Sequence, residues 1–339
     1  MKKRILPAEW APQECVQLTW PHANSDWAPY LEEAICCFCQ IAKEISKREL
    51  LIIVCVDIEL VKGQLADVNF HNIAFVEAQT NDTWARDHGG ITVIEDGKGL
   101  ILDFMFNGWG LKFASNHDNL ITRNVYHTIF KDYYQYSNRL NFILEGGGIE
   151  SDGEGTLLTT SECLLSPNRN GGYAKDEIET ILKQEFGVKR VLWVNNGYLA
   201  GDDTDSHIDT LARLCSKDTI AYVQCTDVKD EHYEALKEME KELQAFKTDD
   251  GKPYNLVALP MADKVIFDEE RLPATYANFL IMNGAVLVPT YNSPKDLVAL
   301  EILAKVFPDR EIVGVDCSVL IKQHGSLHCV TMQYPKIIE

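Results

Sequence analysis

The 339-residue chain contains no apolar run near the roughly 18 residues that a membrane-spanning helix needs, so no membrane partner is expected. It has no low-complexity tract and no Pro/Gly/Ser-rich linker, which predicts a single domain over residues 1–339 rather than two joined by a hinge. Basic residues are scarce: 32 Lys and Arg face 51 Asp and Glu, for a formal net charge of −19. Without a basic stripe the chain is a poor candidate for nucleic acid, and its acidity permits a cationic ligand. Met1-Lys2-Lys3-Arg4 is basic enough to open an export signal. However, Pro7 and Glu9 interrupt the apolar stretch that should follow, so a cytoplasmic location is expected. Cysteine is the one residue in surplus, with ten. A chain this long can bury its own core and needs no disulfide framework, so most of the ten are expected reduced and buried. Cys36-Cys37-x-Cys39 lacks the spacing of a metal knuckle, and no metal is expected there.

Helical periodicity is clearest over 29–48, 120–137, 173–187, 230–246 and 294–306. The fourth places Leu236, Met239, Leu243 and Phe246 on one face. Short β-type runs lie between, among them Leu51 to Val56, Ile91 to Ile94, Val191 to Val194 and Ala285 to Val288. This alternation predicts an α/β fold, either one sheet or a ring of repeated α/β modules.

The unusual residues fall between the helices. Asp82-Thr83-Trp84-Ala85-Arg86-Asp87-His88-Gly89-Gly90 crowds charges and a Trp before a strand, although a turn with a surface Arg86–Asp87 pair would look the same. Glu145 precedes three glycines that would let ligand atoms approach the backbone. A hairpin turn at Asp152-Gly153 is the plainer reading, and no phosphate loop fits. Alternation in Asp205-Ser206-His207-Ile208-Asp209 would put His207 and Asp209 on one side of a strand. An acidic surface loop competes, and the spacing is wrong for calcium. Lastly, Cys329 follows His328 and His324; a thiol becomes a nucleophile only where its surroundings favour the thiolate, and otherwise is an inert core residue.

Together a Cys, a His and several acids are the complement needed to cut a guanidinium. That group is planar and cationic, so carboxylates must grip its N–H groups while a soft nucleophile attacks from above the plane. An acid must protonate the departing ammonia and a base must activate water, and one histidine can serve both steps. With these residues stand Leu6-Pro7-Ala8-Glu9-Trp10, Thr19-Trp20-Pro21, Phe106-Asn107-Gly108-Trp109-Gly110, Asn168-Arg169-Asn170 and Leu272-Pro273-Ala274-Thr275-Tyr276-Ala277-Asn278-Phe279. In this order, over nearly the whole chain, they resemble the agmatine deiminase branch of the guanidine-modifying (pentein) superfamily, the bacterial peptidylarginine deiminase-type family.

The resemblance implies a fivefold pseudosymmetric α/β propeller with a central site. It implies Cys329 as nucleophile through a covalent thiouronium, His207 as general acid then base, Asp87 and Asp209 as the guanidinium clamp, and Glu145 as the group that orients His207. Trp84 and Arg169 are further candidates at the substrate, and Trp109 is expected to be scaffold. No metal or cofactor is implied, and a homo-oligomer is. The chain departs from the family's best-known pattern at His88-Gly89-Gly90, at Asp205-Ser206-His207 and at His324-Gly325-Ser326-Leu327-His328-Cys329, which touches the rim rather than the catalytic groups.

The expected activity is hydrolysis of agmatine to N-carbamoylputrescine and ammonia, feeding putrescine synthesis. Free arginine would need a cation aimed at its carboxylate, and abundant acids with few spare basic residues favour agmatine. Arg169 keeps arginine open, peptidyl-arginine would need a groove, and a non-catalytic guanidine or polyamine binder remains a different class of reading.

Overall fold

The computed structural model describes residues 3–66 and 68–337; the domain expected over 1–339 includes a few residues outside these. Among the described residues, five sheets repeat one scheme. Two strands pair antiparallel, and the chain then passes through a helical segment to a third strand parallel to the second. Ile91–Glu95, Lys98–Met105 and Gln135–Ile143 make one such unit. Ile149–Ser151, Thr156–Thr160 and Arg190–Val194 make the next. Ala212–Ser216, Thr219–Gln224 and Asn255–Pro260 follow, then Leu280–Met282, Ala285–Thr290 and Glu311–Asp316. The remaining unit joins both ends of the chain: Thr331–Pro335 runs antiparallel to Gln13–Thr19, which is parallel to Leu50–Cys55. Among the described residues no sheet closes into a barrel.

The helices that link the parallel strands are the predicted ones: Leu31–Ser46, Ile121–Val125, Lys175–Phe186, Tyr233–Ala245 and Lys295–Val306. Tyr233–Ala245 buries Leu236, Met239 and Leu243 as its periodicity requires. The helix expected over 120–137 is shorter. It runs into a π-turn at Tyr126–Phe130, and from Gln135 the chain is a strand because it pairs with Leu100 of the neighbouring strand. Among the described residues no helix is long and apolar enough to cross a membrane.

The repeated scheme positions the chemistry. The segment just ahead of each unit's first strand carries one part of it: Asp87 before Ile91, Glu145 and Gly147 before Ile149, His207 and Asp209 before Ala212, Asn278 before Leu280, and Cys329 before Thr331.

Candidate active site

Asp87 lies on the short helix Ala85–His88, whose residues are all buried. Its two carboxylate oxygens are held by different donors. Trp109 Nε1 donates to Oδ2 at 2.9 Å and the Gly147 amide to Oδ1 at 3.3 Å. Gly147 must lack a side chain here: a Cβ would lie 2.6 Å from His207 Nδ1, 2.9 Å from Asp87 Oδ1 and 3.1 Å from Asp209 Oδ2. That one position therefore reports how closely the predicted groups converge. His207 and Asp209 do not share a strand face as expected. The Thr204 hydroxyl takes the His207 amide, and the chain turns through the 3-10 segment Ile208–Thr210 instead. Both side chains nonetheless end fully buried beside Asp87, with His207 Nδ1 at 3.6 Å from its Oδ1.

The thiol of Cys329 donates to Asn278 Oδ1 at 3.4 Å, and the same oxygen accepts the amides of His328 and Cys329 at 2.8 and 3.3 Å. Asp209 Oδ2 is held by His328 Nδ1 at 2.7 Å, while its Oδ1 has no hydrogen-bond partner. Glu145 makes no hydrogen bond to His207. Its two oxygens receive Arg169 Nε at 2.9 and 3.0 Å. Arg169, expected at the substrate, spends its guanidinium on Glu145, on Asp205 and on the Thr204 carbonyl, and it does not line the cleft.

Burial raises Asp87 to about 6, helped by the neighbouring acids Asp209 and Glu145. Burial works against a charged His207, but the Asp87 carboxylate, with the Cys163 sulfur and Glu145 beside it, overcomes this and carries the ring up to about 10. Asp209 goes the other way: burial is outweighed by His328, which holds it below the usual carboxylate range. Cys329 is pushed well above the ordinary thiol value by burial and by the carboxylates of Asp209 and Asp87. Without a cation between those acids the sulfur keeps its proton.

A cleft of about 430 Å³ leads to Asp87 and Cys329, while His207, Asp209 and Glu145 stand behind them. Trp84, Trp109 and Phe113 form its apolar walls, and Asp26, Asp82 and Asp203 its polar ones. Gly325 lets Trp84 close that wall, since any Cβ there would run into the indole. No Lys or Arg lines the cleft among the described residues.

Residues 5–335 match the family of Porphyromonas-type peptidyl-arginine deiminases. The chain belongs to that family. It is similar to a Vibrio parahaemolyticus protein named putative agmatine deiminase, at 33% identity over 97% of this chain and 96% of the relative. Among solved structures, a putative arginine deiminase from Porphyromonas gingivalis is 55% identical, with TM-score 0.94 over 98% of this chain and 99% of that one. A cysteine-to-serine variant of agmatine deiminase from C. jejuni with substrate bound is 40% identical, with TM-score 0.93 over 100% and 98%. The DDAH of Pseudomonas aeruginosa, 11% identical, covers 95% of this chain and 100% of its own at TM-score 0.52 and shares the fold alone, which is the pentein fold.

Within this family member, sequence reasoning left several contributors without a role. Asn278 stood inside a quoted motif, and Trp109, expected to be scaffold, holds Asp87 and faces the cleft. Glu9 and His328 also stood in quoted motifs. Their meeting at 2.7 Å spans 319 positions, which no local pattern signals.

Proposed function

We propose that the protein is an agmatine deiminase, a hydrolase acting on the C–N bonds of a linear amidine. The observation that carries the substrate is the composition of the cleft: acids and aromatics are seven of its twelve lining residues, and among the described residues no Lys or Arg lines it. Agmatine presents an ammonium at its non-reacting end, and Asp26, Asp82 and Asp203 suit it. The carboxylate of arginine would meet these acids, and His324, already beside Asp203 at 4.0 Å, is the one basic side chain among the lining residues. Asp82 is already held by Trp27 Nε1 at 2.9 Å, and burial raises it to about 6, a carboxyl waiting for a cation.

The guanidinium enters between Asp87 and Asp209, and its charge offsets the two carboxylates that keep the Cys329 proton in place. The thiol proton leaves to solvent through the cleft, and the thiolate attacks the guanidinium carbon. The S–C bond forms, one C–N bond breaks, and the leaving nitrogen takes a proton from His207 and departs as ammonia. Neutral His207 next accepts a proton from water. The hydroxide adds to the thiouronium carbon, the S–C bond breaks, the added hydroxyl gives up its proton to solvent, and N-carbamoylputrescine leaves with the thiolate restored. Glu145 acts on His207 through charge, with Arg169 fixing its position.

We also read the five repeated units as blades of a fivefold pseudosymmetric propeller, a reading supported by the equivalent placement of the five chemistry-bearing segments. The ten free cysteines fit a reducing compartment, which supports the cytoplasm. A homo-oligomer belongs to the same proposal and is read by light scattering.

The test is to incubate purified protein with agmatine, free arginine and a blocked arginine peptide, and to quantify ammonia and ureido product against Cys329→Ala. Release from agmatine, lost in the variant, is expected. Release from arginine or the peptide instead overturns the reading of the cleft. Clean agmatine binding without release makes the protein a binder.

A further inference from the structure

Cys163 takes no part in the reaction above, yet it lies against the histidine that does. It sits fully buried on the short helix Ser161–Leu164, its amide held by the Thr160 hydroxyl at 3.3 Å. Its Sγ, a carboxylate oxygen of Glu145 and a ring nitrogen of His207 lie within 4.8 Å of one another. Among the described residues neither ring nitrogen of His207 has a hydrogen-bond partner, although the side chain is fully buried. A buried polar atom without a partner calls for an occupant. Asp87, its Oδ1 3.6 Å from Nδ1, adds negative charge beside the ring.

Thiolate, imidazole and carboxylate form the donor set of a four-coordinate ion of borderline softness. Zinc bonds of about 2.0–2.3 Å place ligand atoms roughly 3–4 Å apart, a small closure from the observed spacing. We propose that Cys163, His207 and Glu145 form a zinc site that reversibly switches the enzyme off. Binding displaces to solvent the protons of Cys163 and of one His207 ring nitrogen, whose lone pair then no longer moves protons; water completes the coordination. Arg169 Nε stays on the Glu145 carboxylate, whose oxygens each have a second lone pair to offer the metal. The inhibitory consequence rests on the deiminase reading, whereas metal binding stands without it.

The test titrates chelator-treated protein with Co²⁺ and Zn²⁺ and compares the parent with Cys163→Ser, Cys163→Ala and Cys329→Ala. One equivalent of Co²⁺ should give a sulfur-to-cobalt charge-transfer band that Zn²⁺ abolishes. The band should persist in Cys329→Ala and vanish in both Cys163 variants. The Zn²⁺ concentration that halves ammonia release should rise by more than about 10-fold in Cys163→Ser, a loss that even outer-shell changes inflict on metal sites. A band lost in Cys329→Ala but kept in the Cys163 variants would put the metal on the nucleophile and overturn the proposal. So would the absence of stoichiometric cobalt in the folded parent. The spectra decide the metal site even if no guanidine is hydrolysed.

Discussion

Two buried imidazoles set among acids divide this site into regions of opposite character. Around His328 both ring nitrogens are satisfied. Nδ1 meets Asp209 and Nε2 meets Glu9, each at 2.7 Å, and Arg213 links Glu9 at 2.8 Å to Glu150 at 2.5 Å while donating to the carbonyls of Ala277 and Phe279. Around His207 the polar groups are left open: both ring nitrogens and Asp209 Oδ1 lack partners. The same residue types thus make a rigid wall in one place and a working surface in the other. His88 adds a control. It is buried with both ring nitrogens unpartnered among the described residues, but Phe106 packs beside it and burial drives it down to about 3. An open buried histidine becomes functional only with charge and access around it.

The sharpest way to break this contrast is at the nucleophile. Cys329→Ala should lower turnover by on the order of 10⁴-fold or more, and His207→Ala by about 10²–10⁴-fold, in ammonia-release assays, with the fold of each unchanged by circular dichroism. The wall should respond in the other currency. Arg213→Ala strands two buried carboxylates and should cost about 3–5 kcal/mol in urea unfolding. Trp109→Phe keeps the ring but removes the donor on Asp87 Oδ2. A hydrogen bond to a charged group is worth about 1.5–3 kcal/mol, so kcat/KM should fall about 10-fold or more.

Protonation sharpens the comparison further. The kcat/KM profile should rise with pH through about 6 as Asp87 ionises, and Trp109→Phe should move that limb upward. The folded-state value of His207, about 10, lies above its unfolded value. The stability it contributes is therefore present below about 6.5 and lost as pH rises towards 10. Urea unfolding at pH 6 and 9.5 should show this loss in the parent and not in His207→Ala. The smallest effect belongs to the rim. Asp203 is 38% exposed, and an exposed ionic contact is worth about 1 kcal/mol at most. Asp203→Asn should therefore raise the KM for agmatine by no more than about 5-fold and leave kcat alone.

Much of the open region was legible in the sequence, because Cys329, His207, Asp87 and Asp209 are types that a guanidinium demands and they stand in unusual motifs. Helix positions were legible from periodicity. What was not legible is how side chains spend their donors. Arg169 looks equally able to meet substrate or Glu145 until the fold brings Glu145 to it across 24 positions. The local turn at His207 was misread as a strand because alternation ignores backbone conformation: Asp205 and Ser206 both have positive φ, near 60°, which no extended segment permits.

The contact between Glu9 and His328 also sets an order of events. The strand that follows Cys329 pairs with one of the earliest strands in the chain, and the brace behind the nucleophile joins residues 319 positions apart. A chain growing from the ribosome can assemble four of its five units while the fifth still waits for its last strand. Asp87, Glu145 and His207 are then already made, but the sulfur is absent and Asp209 lacks its imidazole. The enzyme is silent throughout its own synthesis, and chemistry begins only when the end of the chain returns to its beginning.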